Sequence, residues 1–340
     1  MKKIILGLVV IFTTYSCSSD DGQPLTTTTP IQSNPITDIV NDAKNLINFA
    51  KPSLEDLVNA GVQNVTGSQG RYKLAIRLAS PSPTTLSALQ TIIDNVNDGS
   101  VPIGNNDVLV WSDEFDTDGS PSDANWTFDI GRGQNGWGNN EVQFYTQRAD
   151  NVIIEDGLLK IIAKKESYQG ADYTSTRMKT QSRYDFTYGK VEVRAKLPAS
   201  AGTWPAIWML GSNFGTVGWP ACGEIDIMEQ KGWDKSKISS ALHNNSSFGA
   251  TVNVGEVNVP DSTSEFHVYG ANWNDYQIEF SVDGNVFYTY NPSNRNADTW
   301  PYNAPQFIIL NIAMGGNLGG DIPSDFSESR MEIDYVRVYQ

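Results

Sequence analysis

The chain is short of cysteine, of histidine and of positive charge. Its 340 residues hold two cysteines and two histidines, and 24 Lys and Arg stand against 39 Asp and Glu, a formal net charge of −15. Two cysteines do not make a disulfide framework. The acidic balance disfavours DNA, RNA or an anionic lipid surface as partner, and mildly disfavours sulfated polysaccharides. Neutral sugars stay fully compatible. Tryptophan is missing from the first hundred residues; all nine lie between Trp111 and Trp300. That shift in composition marks the clearest domain boundary. A membrane-spanning run is absent from the N-terminus, because the apolar stretch Ile4 to Phe12 is too short to cross a bilayer as a mature helix. Beyond Asp107 no segment reads as a long amphipathic helix.

What is present begins with an address label. Met1-Lys2-Lys3 is a basic start before the apolar run, the pattern of a secretory leader. Thr14-Tyr15-Ser16-Cys17 resembles a lipoprotein cleavage site, with small Ser16 before the Cys. The resemblance implies that residues 1–16 are removed and that Cys17 becomes a lipidated N-terminus, anchoring the protein to a membrane without spanning it. Ser18-Ser19-Asp20-Asp21-Gly22 resembles the acidic export signal of surface lipoproteins of the Bacteroidetes type. This implies the outer face of the outer membrane. The alternative is an ordinary secretory leader with an incidental Cys17.

Residues 17–51 follow as a tether, polar and rich in Thr and Pro at first, with a helical apolar stripe at Ile36, Ile39, Val40, Ala43, Leu46 and Ile47. Residues 52–99 are expected to form a small three-helix module. Ser53 caps the first helix, Tyr72 to Leu78 carries the second, and Thr84 or Thr85 caps the third. The segment Arg71 to Ile76 also fits a strand. Leu54 to Val62 is similar to albumin-binding-type surface modules, but a plain spacer holding the main domain away from the cell is the favoured reading. Residues 100–106 are a linker, and 107–340 form the main domain.

Strand signals fill that domain. Val191, Val193 and Ala195 alternate with Lys190, Glu192, Arg194 and Lys196, so one face is apolar and the other charged. Gly157 to Lys164, Tyr276 to Val282, Val286 to Tyr290, Phe307 to Met314 and Arg330 to Tyr339 are further strands, with Asp283-Gly284-Asn285 as a hairpin turn. An all-β jelly-roll sandwich with a concave cleft accounts for the pattern best.

Glu224-Ile225-Asp226-Ile227-Met228-Glu229 stands out within it. Glu224 and Asp226 share one strand face with period two, while Glu229 has the wrong parity. A β-bulge near Ile227-Met228 would turn Glu229 back to join them. Three acids on one face raise each other's pKa and divide the roles of acid and nucleophile. Cys222, two residues upstream, is expected to be a buried inert thiol rather than a nucleophile served by His243. Trp204 and Trp208 share a face, Trp137 sits in a Gly/Asn loop, and Trp219 lies five residues before Glu224. Indoles beside amides and acids offer stacking planes for sugar rings and partners for hydroxyls.

Four segments then carry a family resemblance: Trp219 to Glu229, Gly136 to Glu141, Gly202 to Leu210, and Ile333 to Tyr339. Together they resemble glycoside hydrolase family 16, in its laminarinase-like branch with a bulged acid strand. The resemblance implies a retaining endo-hydrolase of β-1,3-glucan such as laminarin, extending to mixed-linkage β-1,3-1,4-glucan. An agar or carrageenan hydrolase, or a non-catalytic glucan-binding protein, are the alternatives. It implies Glu224 as nucleophile, Glu229 as acid/base and Asp226 as the intervening modulator. Trp204, Trp208, Trp219, Arg177, His243 and Asn135 would contact sugar. No catalytic cofactor is implied. A structural Ca²⁺ is, with Glu114, the Gly157 carbonyl and Asp334 as ligands. The protein is expected to act as a monomer.

Overall fold

A computed structural model describes Val108 to Gln340, together with the backbone of Val62–Gly67 and Arg71–Ile76. The leader, Cys17, the tether and the first and third expected helices lie outside the described residues. The second helix is corrected. Val62–Gly67 (β1) and Arg71–Ile76 (β2) pair as an antiparallel hairpin, with Val62 opposite Ile76. Tyr72, Leu74 and Ile76 alternate with Arg71, Lys73 and Ala75, a period-two pattern that outweighs the helical propensity of Lys, Leu and Ala. Contacts divide the chain between Gly104 and Asn105.

The larger unit is a sandwich of two sheets. Its strands are β3 (Leu109–Asp113), β4 (Thr127–Asp129), β5 (Gln143–Tyr145), β6 (Val152–Glu155), β7 (Leu158–Tyr168), β8 (Ala171–Ser175), β9 (Arg177–Lys179) and β10 (Gly189–Lys196). They continue as β11 (Thr203–Gly211), β12 (Glu224–Lys231), β13 (Asp234–His243), β14 (Val254–Asn258), β15 (His267–Trp273), β16 (Ile278–Val282), β17 (Asn285–Tyr290), β18 (Gln306–Met314) and β19 (Glu328–Tyr339). One sheet runs β14-β13-β12-β11-β18-β9-β4. The other runs β17-β16-β15-β10-β19-β7-β8-β5, with β3 beside β19 and β6 beside β7.

Alternation fixes the core. Val191, Val193 and Ala195 of β10 are buried, as are Ile333, Val336 and Val338 of β19. Ile207 and Met209 of β11 face them from the other sheet, with Ile308, Leu310 and Ile312 of β18. The outward residues of β10 form ion pairs instead: Lys190 with Glu192 at 3.0 Å and Lys196 with Glu332 at 2.6 Å. Trp273 is wholly buried, and Trp111 packs against the core, stacked on Tyr184. The β16–β17 hairpin turns at Asp283 and Gly284, both with positive φ, as a two-residue turn requires. Opposite the core, the seven-stranded sheet presents a second face, which carries the acids.

The two carboxylates expected to hold calcium are paired with arginines. Both Glu114 oxygens accept from Arg337, one of them at 2.7 Å, and this guanidinium holds the Glu114 carboxyl below its ordinary range. Asp334 pairs with Arg194 at 2.6 Å. Gly157 occupies the β6–β7 turn with φ of 73°. Calcium takes six to eight oxygen ligands. Two carboxylates already matched by guanidinium groups are a poor start for such a shell.

Candidate active site

The acid strand is bulged, and the register shows how. Against β11, Glu224 pairs with Leu210, Asp226 with Trp208, Met228 with Ile207 and Glu229 with Ala206. Ile227 is therefore the extra residue on that side, one of the pair Ile227-Met228 at which the sequence placed the bulge. Against β13, Asp226 pairs with Ala241 and Glu229 with Ser239, so Ile227 and Met228 together oppose Ser240. The Ser240 hydroxyl fastens the kink by donating to the Ile227 carbonyl at 2.7 Å. Ile227 and Met228 both enter the core. Two successive residues on one face shift the parity by one. Glu229 thus returns to the face of Glu224 and Asp226.

Each glutamate is held by an indole. Trp219 Nε1 donates to Glu224 Oε2 at 3.0 Å, and Trp204 Nε1 donates to Glu229 Oε1 at 2.9 Å. Asp226 lies between them and is 4% exposed. Burial raises the pKa of all three acids. The Asp226 charge raises Glu224 and Glu229 further, while the Trp204 N–H offsets part of this at Glu229. Such a triplet holds protons at neutral pH that isolated carboxyls would have lost.

His243 pairs with Glu224 across β12 and β13. Its Nε2 lies 3.1 Å from Asp226 Oδ2 and 3.7 Å from Glu224 Oε1. The Gly249 amide donates to its Nδ1 at 3.1 Å. Nδ1 is therefore an acceptor and the ring proton sits on Nε2, facing the two acids. Glu224, Asp226 and His243 have ligand atoms within 4.8 Å of one another, a spacing that also suits a metal. The tautomer argues otherwise. A ligating histidine bares one nitrogen and donates from the other, whereas here the outer nitrogen meets a donor. His243 Nε2 faces the two acids across these short distances without a lone pair to offer a metal.

The remaining expected residues divide. Trp208 lies on the cleft face of β11 and donates to Asn311 Oδ1 at 2.7 Å. Arg177 of β9 has its guanidinium carbon 4.7 Å from the ring centres of both Trp137 and Trp208, and its Nε 3.0 Å from Asp129. Asn135 contributes backbone: it is left-handed, with φ of 52°, and its carbonyl accepts the Asn140 N–H. Cys222 is buried, and burial pushes its thiol up to about 11, so it is no nucleophile. Sequence reasoning missed Phe248, which is half-exposed and meets the Trp219 ring edge-on at 5.4 Å. Nothing in Asn244-Asn245-Ser246-Ser247-Phe248 distinguishes it from a loop residue. It also missed Glu141, Tyr145 and Asn311, which form a buried polar chain under the cleft.

Comparison with known proteins gives the same direction. Residues 139–337 match the family described as glycosyl hydrolases family 16. A β-glucanase of Rhodothermus marinus is 40% identical over 246 residues, covering 68% of this chain and 85% of the relative. The laminarinase structure from Flavobacterium sp. UMI-01 superposes with a TM-score of 0.65 at 43% identity, over 68% of this chain and all of its own. LamA from Z. galactanivorans, crystallised with laminaritriose and laminaritetraose, gives a TM-score of 0.62 at 43% identity, over 69% and 99%.

Proposed function

This chain belongs to glycosyl hydrolase family 16, and on that premise we propose that it cuts β-1,3-glucan within the chain, with retention at the anomeric carbon. One observation carries the reading. The bulge sets Glu224 and Glu229 on the same face, each oriented by an indole N–H. Double displacement needs two carboxyls about 5–5.5 Å apart, flanking one glycosidic bond. Glu224 attacks the anomeric carbon, and the glycosidic C–O bond breaks. Glu229 gives its proton to the departing oxygen. A water then enters, Glu229 takes its proton, and the ester to Glu224 is hydrolysed. Glu229 must begin protonated, and burial beside Asp226 favours that. Glu224 must begin ionised, and the Trp219 N–H and the His243 Nε2–H both face it.

Laminarin-type glucan is the substrate favoured by the relatives, and mixed-linkage β-1,3-1,4-glucan is the extension. Glu224 and Glu229 are both present, so binding without turnover has no support in the site. Purified protein should release reducing ends from laminarin, less from lichenan, and none from agarose or carrageenan. Release from agarose alone would overturn the substrate. No release from any polymer would overturn the activity.

The N-terminal pattern supports a second, separate proposal: Cys17 is lipidated and the enzyme is carried on the outer cell surface. Labelled palmitate should enter the wild-type protein and not Cys17→Ala. Equal labelling of both would refute the anchor.

A further inference from the structure

Glu141 was part of a recognised motif, yet catalysis leaves it without a task. It is 7% exposed. Gln143 Nε2 donates to its Oε2 at 2.7 Å and the Tyr145 hydroxyl at 3.0 Å, while Asn139 Nδ2 donates to Oε1 at 3.3 Å. Three donors surround this carboxylate, and no cation is paired with it among the described residues. Gln143 is itself fixed, because its Oε1 accepts the Met314 amide at 2.7 Å.

The chain runs onward. Asn311 Nδ2 donates to the Tyr145 oxygen at 3.2 Å, and Asn311 Oδ1 accepts Trp208 Nε1 at 2.7 Å. Tyr145 belongs to β5 of one sheet and Asn311 to β18 of the other, so the chain ties the two sheets together. Its direction is set at both ends, since the Trp208 indole N–H can only donate. A phenol can donate or accept, and a carboxamide can turn over, but an ionised carboxylate only accepts. Glu141 therefore obliges Tyr145 to donate toward it. The Tyr145 lone pair then receives Asn311 Nδ2, and Asn311 Oδ1 is left facing the indole N–H. Trp208 is the last member, and its ring flanks the Arg177 guanidinium that also lies against Trp137.

We infer that Glu141 is a positioning residue: through Tyr145 and Asn311 it fixes the ring of Trp208, and with it the Trp137–Arg177–Trp208 stack on the cleft face. The inference rests on the glucanase reading, in which that stack receives sugar. Burial, and then the Glu141 charge, raise the Tyr145 phenol well above its ordinary range and keep it a donor. Ring placement affects sugar binding more than bond breaking, since Glu224 and Glu229 are held by other indoles.

Steady-state kinetics on laminarin test this with Tyr145→Phe, Glu141→Gln and the double variant, each checked for folding by thermal melting. Tyr145→Phe removes only the hydroxyl that joins Glu141 to Asn311. It should raise KM about three- to tenfold, the usual effect of one net hydrogen bond, with kcat within about threefold. Glu141→Gln should shift KM the same way. Because both changes cut one chain, the double variant should be no worse than the weaker single variant. Wild-type KM in Tyr145→Phe would overturn the inference, as would effects that multiply in the double variant. A lowered melting temperature with unchanged KM would also overturn it, by showing a role in stability alone. Retained turnover in every variant would leave the glucanase reading standing, so the two failures are distinct.

Discussion

Replacing Glu229 by Gln should make the protein more stable and nearly inactive at once. The amide oxygen can still accept the Trp204 N–H, so the perturbation is mainly one of charge. Glu229 is raised from 4.5 to about 8, first by burial and then by Asp226. An acid raised in the folded state keeps its proton after the unfolded chain has released its own. Stability is therefore lost as pH climbs from about 4.5 toward 8, and none is lost at lower pH. At pH 7 the interval above 4.5 corresponds to about 3 kcal/mol for an isolated site, at ~1.36 kcal/mol per unit. Three coupled acids share the strain, so one substitution should recover roughly 1–3 kcal/mol. For a domain of this size that is about 2–10 °C in melting temperature. Hydrolysis should fall by roughly 10²–10⁴, the contribution of a positioned acid/base. Melting curves at pH 4, 7 and 8.5, with reducing-sugar assays beside them, check both effects. A melting temperature that is unchanged or lower at pH 7–8.5, or a gain equally large at pH 4, would refute the electrostatic reasoning.

Met228→Ala should lower stability by about 2–4 kcal/mol and leave KM near wild type, because the bulge sends Met228 into the core; a KM effect without loss of stability would place that side chain in the cleft. His243→Ala should lower kcat and move the acidic limb of its pH profile upward, since the Nε2–H facing Glu224 and Asp226 is lost. His243→Gln offers an N–H at a similar reach and should recover part of the activity; equal loss in both variants would show that the ring serves another purpose.

The site was legible in the sequence because its pattern is local. Glu224, Asp226 and Glu229 lie within six residues, and their parity conflict announces a bulge. The identity of the extra residue was not legible. It depends on pairing with Ile207 and Ser240, which come from two other strands. The same limit hid Glu141: its donors Gln143 and Tyr145 are close in sequence, but Asn311 is 166 positions from Tyr145. Strands with clean alternation, such as Gly189–Lys196, were legible for the opposite reason, since one face meets the core and the other meets water. β13, with Lys235, Ser236, Lys237, Ser239 and Ser240, carries little apolar signal of its own and is drawn into the sheet by its neighbours. The helix expected over Tyr72 to Leu78 gave way to the alternative strand at Arg71 to Ile76, because helical propensity and period-two alternation conflict there and pairing with β1 decides. Glu114 and Asp334 suited calcium as isolated acids; their arginine partners, across strands, were not legible.

The most direct test of the central claim, that the bulge delivers Glu224 and Glu229 to one glycosidic bond for double displacement, is the anomeric proton spectrum recorded during the first minutes of laminarin hydrolysis. The β-anomer should appear first, with the α-anomer growing in later at the rate of mutarotation. An α-anomer formed first would contradict it, since direct attack by water would then bypass the Glu224 ester.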